Sequence, residues 1–554
     1  MQNRLQLLLL SSIAGSALLS GCSSGGDSNP PLTPGVDCSS STPVNLTVGQ
    51  SVILSATVAK GCIRIPAAGA GGATHLVVAY SGSGQVARNG ISGPYALGGQ
   101  SVASPAPPAF TSPDQFDRTS VPTQATRFHA MLRERESELA LEPGRRLAAP
   151  RAPRVPPVFG DQRTFKVCAT QTCSNFVNVI ATAKFVGPRG AIFLDNTVPA
   201  GGLTQADIDS LGSLFDGASP NIYEIDTTAF SRESDLDGNS VVIILLTDQV
   251  NTLSGTCPNG SIILGYFFGL DLVADPNSNH GEVFYGLVPN PTAPNCAITK
   301  NQVFQLLPPV LAHEFQHMIS FNQHVLLRGG ASEVTWLNEG MSHFAEEIAG
   351  RGLPNSRCPG FTTCLRQFTD NGDVSNGYFY LNSPESFFLV FPGSSFGQLE
   401  ERGASWLFVR WLADHFAVDT LLGTGVTRAL EMTTLTGSSN VASVTGLPFV
   451  QLVGEWQLAN FTESIPGFTG SNGRLSYRTW DLGAAFAQAL GGLPYPLVPE
   501  ATSGSYARLG TLRGGSGRHL LVNQGANAGA IDFQLKGDSK FSSLVPSFAV
   551  VRTQ

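Results

Sequence analysis

His313-Glu314-Phe315-Gln316-His317 sets two imidazoles four residues apart with a carboxylate beside the first, the pattern H-E-x-x-H. On a helix, positions i and i+4 share one face about 6 Å apart along the axis, so both rings can reach one metal ion. Catalytic zinc takes three protein ligands and keeps a fourth position for water, whose pKa falls to near ~7. Glu314, next to the first ligand and on the open side of the metal, can take that water's proton and hand it to a leaving amine. Glu339, 22 residues after His317 in Trp336-Leu337-Asn338-Glu339-Gly340, is the expected third ligand, because that spacing suits an antiparallel return on the next helix. Seven residues on, two turns along the same face, Glu346 is placed to accept a hydrogen bond from a ligand histidine and fix its tautomer. His343, one turn after Glu339, reads as a second such supporting group rather than a surface side chain.

Three helices must hold these groups. The apolar spacing predicts one from about 301 to 324, despite Pro308 and Pro309, a second from about 334 to 349, and a third over 398–416 (QLEERGASWLFVRWLADHF). The catalytic unit is expected to begin near 201 with LTQADIDSLGSLFDGAS, where Thr204 and Asp207 are spaced as a capping box, and to stay helical to about 490. Within it VVIILLT is a continuous apolar run of strand length. Before that run, Asp235, Asp237 and Asn239 could offer oxygens to Ca2+, but no Glu closes the loop as in an EF-hand, and a polar turn feeding the strand is the favoured reading.

Outside this unit the texture is β. Alternating stretches (VNLTVGQSVILSATV, THLVVAYSG) predict a small N-terminal β domain. FKVCAT, FVNVIATAKFVG and AIFLD are expected to rejoin it. Between them, residues 104–160 are rich in Pro, Arg and Ala around one helix, Ala125 to Leu141. They read as a linker or exposed insertion, with Arg145-Arg146 a site for nicking. YARLG, HLLVNQG, IDFQLKG and FAVVRTQ predict a last β module. The expected chain is thus multidomain α+β: an N-terminal β-sandwich-like domain at 38–200 with its Pro/Arg-rich insertion, a metallopeptidase catalytic domain at 201–495 with a mainly helical second half, and a C-terminal β module at 500–554.

Charged residues make up 13% of the chain against roughly 25% in average soluble proteins, and Gly (61) and Pro (36) are plentiful. A net charge of -8 without a Lys/Arg run gives no reason to expect a nucleic-acid partner. Residues 1–21 carry Arg4 and a short apolar core, an export signal. The signal ends in Leu19-Ser20-Gly21-Cys22, which resembles the bacterial lipobox and implies a lipid on Cys22. Residues 22–37 are a Gly/Ser/Pro tether, and Ser23 rather than Asp after the cysteine favours the outer membrane or cell surface of the bacterial envelope over the inner membrane. No later stretch reaches the ~20 apolar residues of a membrane span. The remaining cysteines, Cys38, Cys62, Cys168, Cys173, Cys257, Cys296, Cys358 and Cys364, are even in number in an exported chain and fall into four local pairs, so sequential disulfides are expected.

HEFQHMISFNQH, WLNEGMSHFAEE and ERGASWLFVRWLADHF resemble the gluzincin metallopeptidases, most closely the hyicolysin family of bacterial neutral proteases, over about 200–420. The resemblance implies a thermolysin-like α+β catalytic domain, one catalytic Zn2+ on His313, His317 and Glu339, Glu314 as catalytic residue, and a surface enzyme cutting peptide bonds in proteins or peptides. WLNEG also looks like the zinc aminopeptidases, in which a Tyr just before a third helix stabilises the oxyanion. Glu400 stands at the matching place here, which leaves Tyr378 and Tyr380, between the metal helices and the third helix, as the candidate donors.

Two further readings come from other chemistries. Gly393-Ser394-Ser395-Phe396-Gly397 fits the G-x-S-x-G elbow of a serine hydrolase and follows the apolar FFLVF, but the chain lacks the βαβ alternation such a sheet needs. A surface binding lipoprotein with an idle site is the other. Nothing in the sequence fixes an oligomeric state.

Overall fold

The computed structural model describes residues 38, 41, 43–56, 61–87, 90–101, 122–142, 154–257, 262–538 and 541–554. Cys22, the tether and Arg145-Arg146 lie outside them. The first strands are β1 (Ser51–Ser55), β2 (Cys62–Ile65), β3 (Ala73–Ser81) and β4 (Ser92–Ser101). A second group is β5 (Gln162–Cys168), β6 (Phe176–Val186), β7 (Gly190–Asp195), β8 (Val242–Leu246), β9 (Gly265–Phe267) and β10 (Val283–Gly286). The last are β11 (Glu500–Thr502), β12 (Tyr506–Arg513), β13 (Gly517–Gln524), β14 (Ile531–Gly537) and β15 (Pro546–Arg552).

These strands make three sheets, ordered β1-β15-β3-β13-β11, β12-β4-β14-β2 and β5-β6-β7-β8-β10-β9. The N-terminal strands therefore close no sheet of their own. β3 lies between β15 and β13, and β4 between β12 and β14, so the sandwich is built from both ends of the chain around Ile63, Val77, Leu97, Leu520, Phe533 and Val550. β5 to β7 likewise do not rejoin it, because β7 runs parallel to β8 in the separate six-stranded sheet. The physical reason is that period-2 alternation reveals which face of a strand is buried and says nothing about which strand it pairs with.

β3 shows how the sandwich is fastened to the rest. Val77 and Ala79 point into the sandwich, while Leu76, Val78 and Tyr80 join the large core, and all five are fully buried. β8, the VVIILLT run, is flanked by β7 and β10, both parallel to it, and each of its five buried side chains contributes about 1.5–3 kcal/mol.

The main helices are α1 (Gln124–Leu141), α2 (Gln205–Asp216), α3 (Ile222–Phe230), α4 (Lys300–Phe321), α5 (Thr335–Gly352), α6 (Leu399–Phe416) and α7 (Phe449–Thr462). Thr204 and Asp207 form the capping box expected for α2. Tyr80 of β3 donates to the Val450 carbonyl at 2.8 Å, and at Gly454 a Cβ would lie 2.5 Å from the Tyr80 Oη, so only glycine lets α7 approach the sandwich this closely. Helix α1, expected in an exposed insertion, is instead docked: Phe128, Leu132 and Leu139 are buried, and Arg133 and Glu136 form an ion pair at 3.2 Å with both side chains about 2% exposed. The run of alternating charges in RERESE reads as a solvated surface because buried ion pairs use the same residues. The eight cysteines pair in chain order, Cys38–Cys62, Cys168–Cys173, Cys257–Cys296 and Cys358–Cys364. Among the described residues no helix is long and apolar enough to cross a membrane.

Candidate metal centre

Helix α4 starts on a capping box between Thr299 and Gln302 and runs unbroken through Pro308 and Pro309. Pro308 has no N–H to give the Phe304 carbonyl, and Gln367 Nε2 donates to that oxygen instead at 2.7 Å. One turn separates His313 from His317, and α5 brings Glu339 against them. Two glycines allow this packing. A Cβ at Gly340 would meet the Ser405 carbonyl of α6 at 3.0 Å, and one at Gly403 would lie 2.3 Å from the Asn376 backbone.

His313 Nε2 lies 3.6 Å from Glu339 Oε2 and His317 Nε2 3.8 Å from Glu339 Oε1, and one atom from each of the three lies within 4.8 Å of the others. Each ring's far nitrogen is already held. His313 Nδ1 is 2.6 Å from Glu346 Oε1, and His317 Nδ1 is 2.7 Å from Asn338 Oδ1 and 2.9 Å from the Ser342 hydroxyl. With Nδ1 occupied, both Nε2 atoms are presented toward the same carboxylate. Glu339 Oε1 is buried without a hydrogen-bond partner, while Oε2 accepts from Arg402 Nη1 at 2.7 Å. A buried, orphaned carboxylate oxygen beside two imidazole nitrogens is the donor set a divalent cation would satisfy.

Glu314 sits beside this cluster and outside it, its Oε2 accepting from the Phe267 N–H of edge strand β9 at 2.7 Å. Burial pushes its carboxyl above the usual value, against His313, Arg133 and the Phe267 N–H. Burial also acts upward on Glu339, but Arg402 and the imidazoles outweigh it and hold that carboxyl well below the ordinary range. His343 Nδ1 lies 3.0 Å from Glu346 and 2.9 Å from the buried Asp373, so His313, Glu346, His343 and Asp373 form one chain behind the centre.

A cleft of about 370 Å3 opens onto His313 and Glu314, walled by α1, the β9 strand, α4 and the 367–376 segment. The structure brings His313, His317, Glu339, Glu346 and His343 together as their spacing implies, and leaves out the two tyrosines. Tyr380 is fully buried, stacked on Trp456 with its hydroxyl accepting from Gln457, and neither it nor Tyr378 lines the cleft. Both serve the core, as an aromatic side chain amid apolar residues usually does. Glu400 does not line it either, although Leu399 and Arg402 do. The Ser395 hydroxyl donates to Glu401 at 2.8 Å and to the Pro392 carbonyl rather than to a histidine, and FFLVF before it belongs to no sheet strand. Asp237 receives both groups of Asn239 and Arg154, and Asp235 caps the Ser240 N–H, the bonding of a polar turn. Glu282, the residue just before β10, comes to within 4.8 Å of both.

Asn338, Ser342, Asp373, Arg402 and His129 all touch or face the centre and escaped the sequence reading. Asn338 had a signal, being next to the expected ligand. The others come from faces or segments whose approach only the fold fixes.

No family model matches the chain. The neutral metalloprotease ShpI of Staphylococcus hyicus is 29% identical over 194 residues, covering 34% of this chain and 40% of that protein, so the match spans less than half of the relative. This similarity supports a metalloprotease relationship.

Proposed function

We propose that the chain is an exported zinc-dependent endopeptidase, with His313, His317 and Glu339 holding one Zn2+ and Glu314 as general base. The observation that carries the reading is the meeting of two Nε2 atoms and the orphaned Glu339 Oε1 beside a second buried carboxylate. Two nitrogens and one oxygen from two helices suit Zn2+ and leave it an open position. When bound, such an ion polarises a peptide carbonyl and lowers the pKa of water to near ~7.

The protein's own residues supply the rest. Glu314, fixed by the Phe267 N–H, takes a proton from the attacking water and returns it to the amide nitrogen as the C–N bond breaks. Glu346 and Asn338 hold the two rings, and Arg402 keeps Glu339 ionised. Peptides and proteins are the proposed substrates. The absence of a tyrosine at Glu400 and the likeness to a neutral metalloprotease favour internal cleavage over an aminopeptidase.

Purified full-length chain should hydrolyse casein, stop when a chelator strips the metal, resume when zinc is restored, and ignore a serine-directed reagent. Activity that survives the chelator and falls to the serine reagent would overturn the reading. The Leu19–Cys22 box supports lipid anchoring in the bacterial envelope. Cys22→Ala should move the protein from the membrane to the soluble fraction, and a variant that still fractionates with membranes would reject the anchor.

A further inference from the structure

Peptide hydrolysis places negative charge on the former carbonyl oxygen, and one donor aimed at that oxygen is worth ~100- to 1000-fold in kcat. The tyrosines expected to supply it are not in the cleft. We infer that His129, on α1, donates this hydrogen bond; the inference rests on the peptidase reading above.

Helix α1 forms one wall of the cleft, contributing Thr126 and His129 opposite no acceptor of their own making: Thr126 already donates to the Thr123 carbonyl, while the Nδ1 of His129 is buried without a partner. Three other donors of the cleft face groups of the protein itself. Arg402 bonds Glu339 and the Gly397 carbonyl, His343 faces Glu346 and Asp373, and Gln367 serves the Phe304 carbonyl. His313 and His343, the other imidazoles lining the cleft, lie within ion-pair distance of carboxylates, and His129 has no such neighbour among the described residues.

Its position is tied to the general base through one short strand. The Phe267 N–H of β9 bonds Glu314, and the Phe267 carbonyl accepts from Arg133 of α1 at 2.8 Å. Glu136, one turn after Arg133, accepts from the Gly269 N–H at 2.8 Å, and Phe128 packs edge-on against Tyr266 at 5.2 Å. Strand β9 and Gly269 just after it thus hold the base on one side and α1 on the other, which fixes donor and base relative to each other as preorganised stabilisation requires. Burial, with Arg402 next, keeps the imidazole uncharged, so it acts as a neutral N–H donor and transfers no proton.

The test compares His129→Phe, which fills the space without a donor, with His129→Gln, which keeps an amide N–H. His129→Phe should lower kcat by ~100-fold with KM within about threefold, and His129→Gln should recover at least ~tenfold of that loss. A phosphonamidate dipeptide, whose second phosphoryl oxygen stands for the oxyanion, should bind His129→Phe ~100-fold more weakly, while a thiol dipeptide lacking that oxygen binds within about threefold of the parent. Metal content and melting temperature should match the parent. Near-parental kcat in His129→Phe, equal weakening of both inhibitors, or a rise in activity that would make α1 a cover, each overturns the assignment. A parent chain that cleaves no peptide at all would count against the peptidase reading instead.

Discussion

Glu314→Gln should retain one metal ion per chain and lose peptide hydrolysis by ~100-fold or more, the share that acid-base catalysis supplies. Its fold should survive, because a glutamine carbonyl can still accept the Phe267 N–H that Glu314 now accepts. Glu339→Ala should behave differently. Two imidazoles alone would remain, and Arg402, 7% exposed, would lose the carboxylate it pairs with, so metal content should fall along with turnover. Metal analysis of both purified variants beside a peptidase assay separates the roles. Full metal in Glu339→Ala, or ordinary turnover in Glu314→Gln, would show that the two carboxylates have been assigned the wrong way round or to the wrong site.

The largest stability effect is expected one residue past the centre, at Glu347. Helical geometry turns Glu346 toward His313 and Glu347 toward α6, where it is fully buried. There Oε1 accepts from Arg351 at 2.6 Å, Arg410 at 3.3 Å and Trp480 at 2.8 Å, and Oε2 accepts from Trp406 at 2.9 Å. Arg410 is fully buried as well and keeps Asp414 as its other carboxylate partner. Removing one member of a buried pair costs about 3–5 kcal/mol, because the charge left behind cannot return to water. Glu347→Ala should therefore lower the unfolding free energy by about that amount, read from denaturant midpoints, with Glu347→Gln in between since it keeps one acceptor. A loss under about 1 kcal/mol would mean the cluster is already satisfied without Glu347. Burial pushes this carboxyl up, but Arg410 and Arg351 prevail and depress it below its ordinary value. Its contribution is therefore present above the unfolded carboxylate range and is lost as pH falls through the depressed folded value.

The local layer of the site was legible. H-E-x-x-H, the 22-residue step to Glu339 and the further step to Glu346 describe positions on two helices, and helix periodicity fixes the faces of such positions. The helices themselves were readable for the same reason, even across Pro308 and Pro309. What the periodicity could not carry was long-range partnership. His129 stands 184 residues before His313 in a segment whose charges mimic a solvated surface, and only the docking of α1 on β9 brings it to the cleft. The strand partners were hidden likewise, because β1 to β4 carry the alternation that the last strands also carry, with nothing local to match one to another. Tyr378 and Tyr380 failed for a related reason: proximity along the chain to the third helix does not choose between the cleft side and the core side of that segment.

The interleaving of both chain ends has a consequence for how the protein is made. β3 has its two edges filled by β13 and β15, and β1 pairs Ser51 with Val551, so a chain synthesised from its N-terminus carries β1 and β3 with open edges until β13 and β15, more than 400 residues on, have emerged. Open strand edges recruit other chains, and contacts this distant in sequence close slowly. Export as an unfolded thread, with folding begun only after release, would spare the chain that exposure. The same wiring ties the C-terminal strands to the helical half. His519 bonds the Gln457 carbonyl of α7 at 2.9 Å, and Gln457 in turn donates to the Gly515 carbonyl at 2.7 Å, so trimming the protein back to its helical part would strip α7 of its backing and leave β3 bare along both edges.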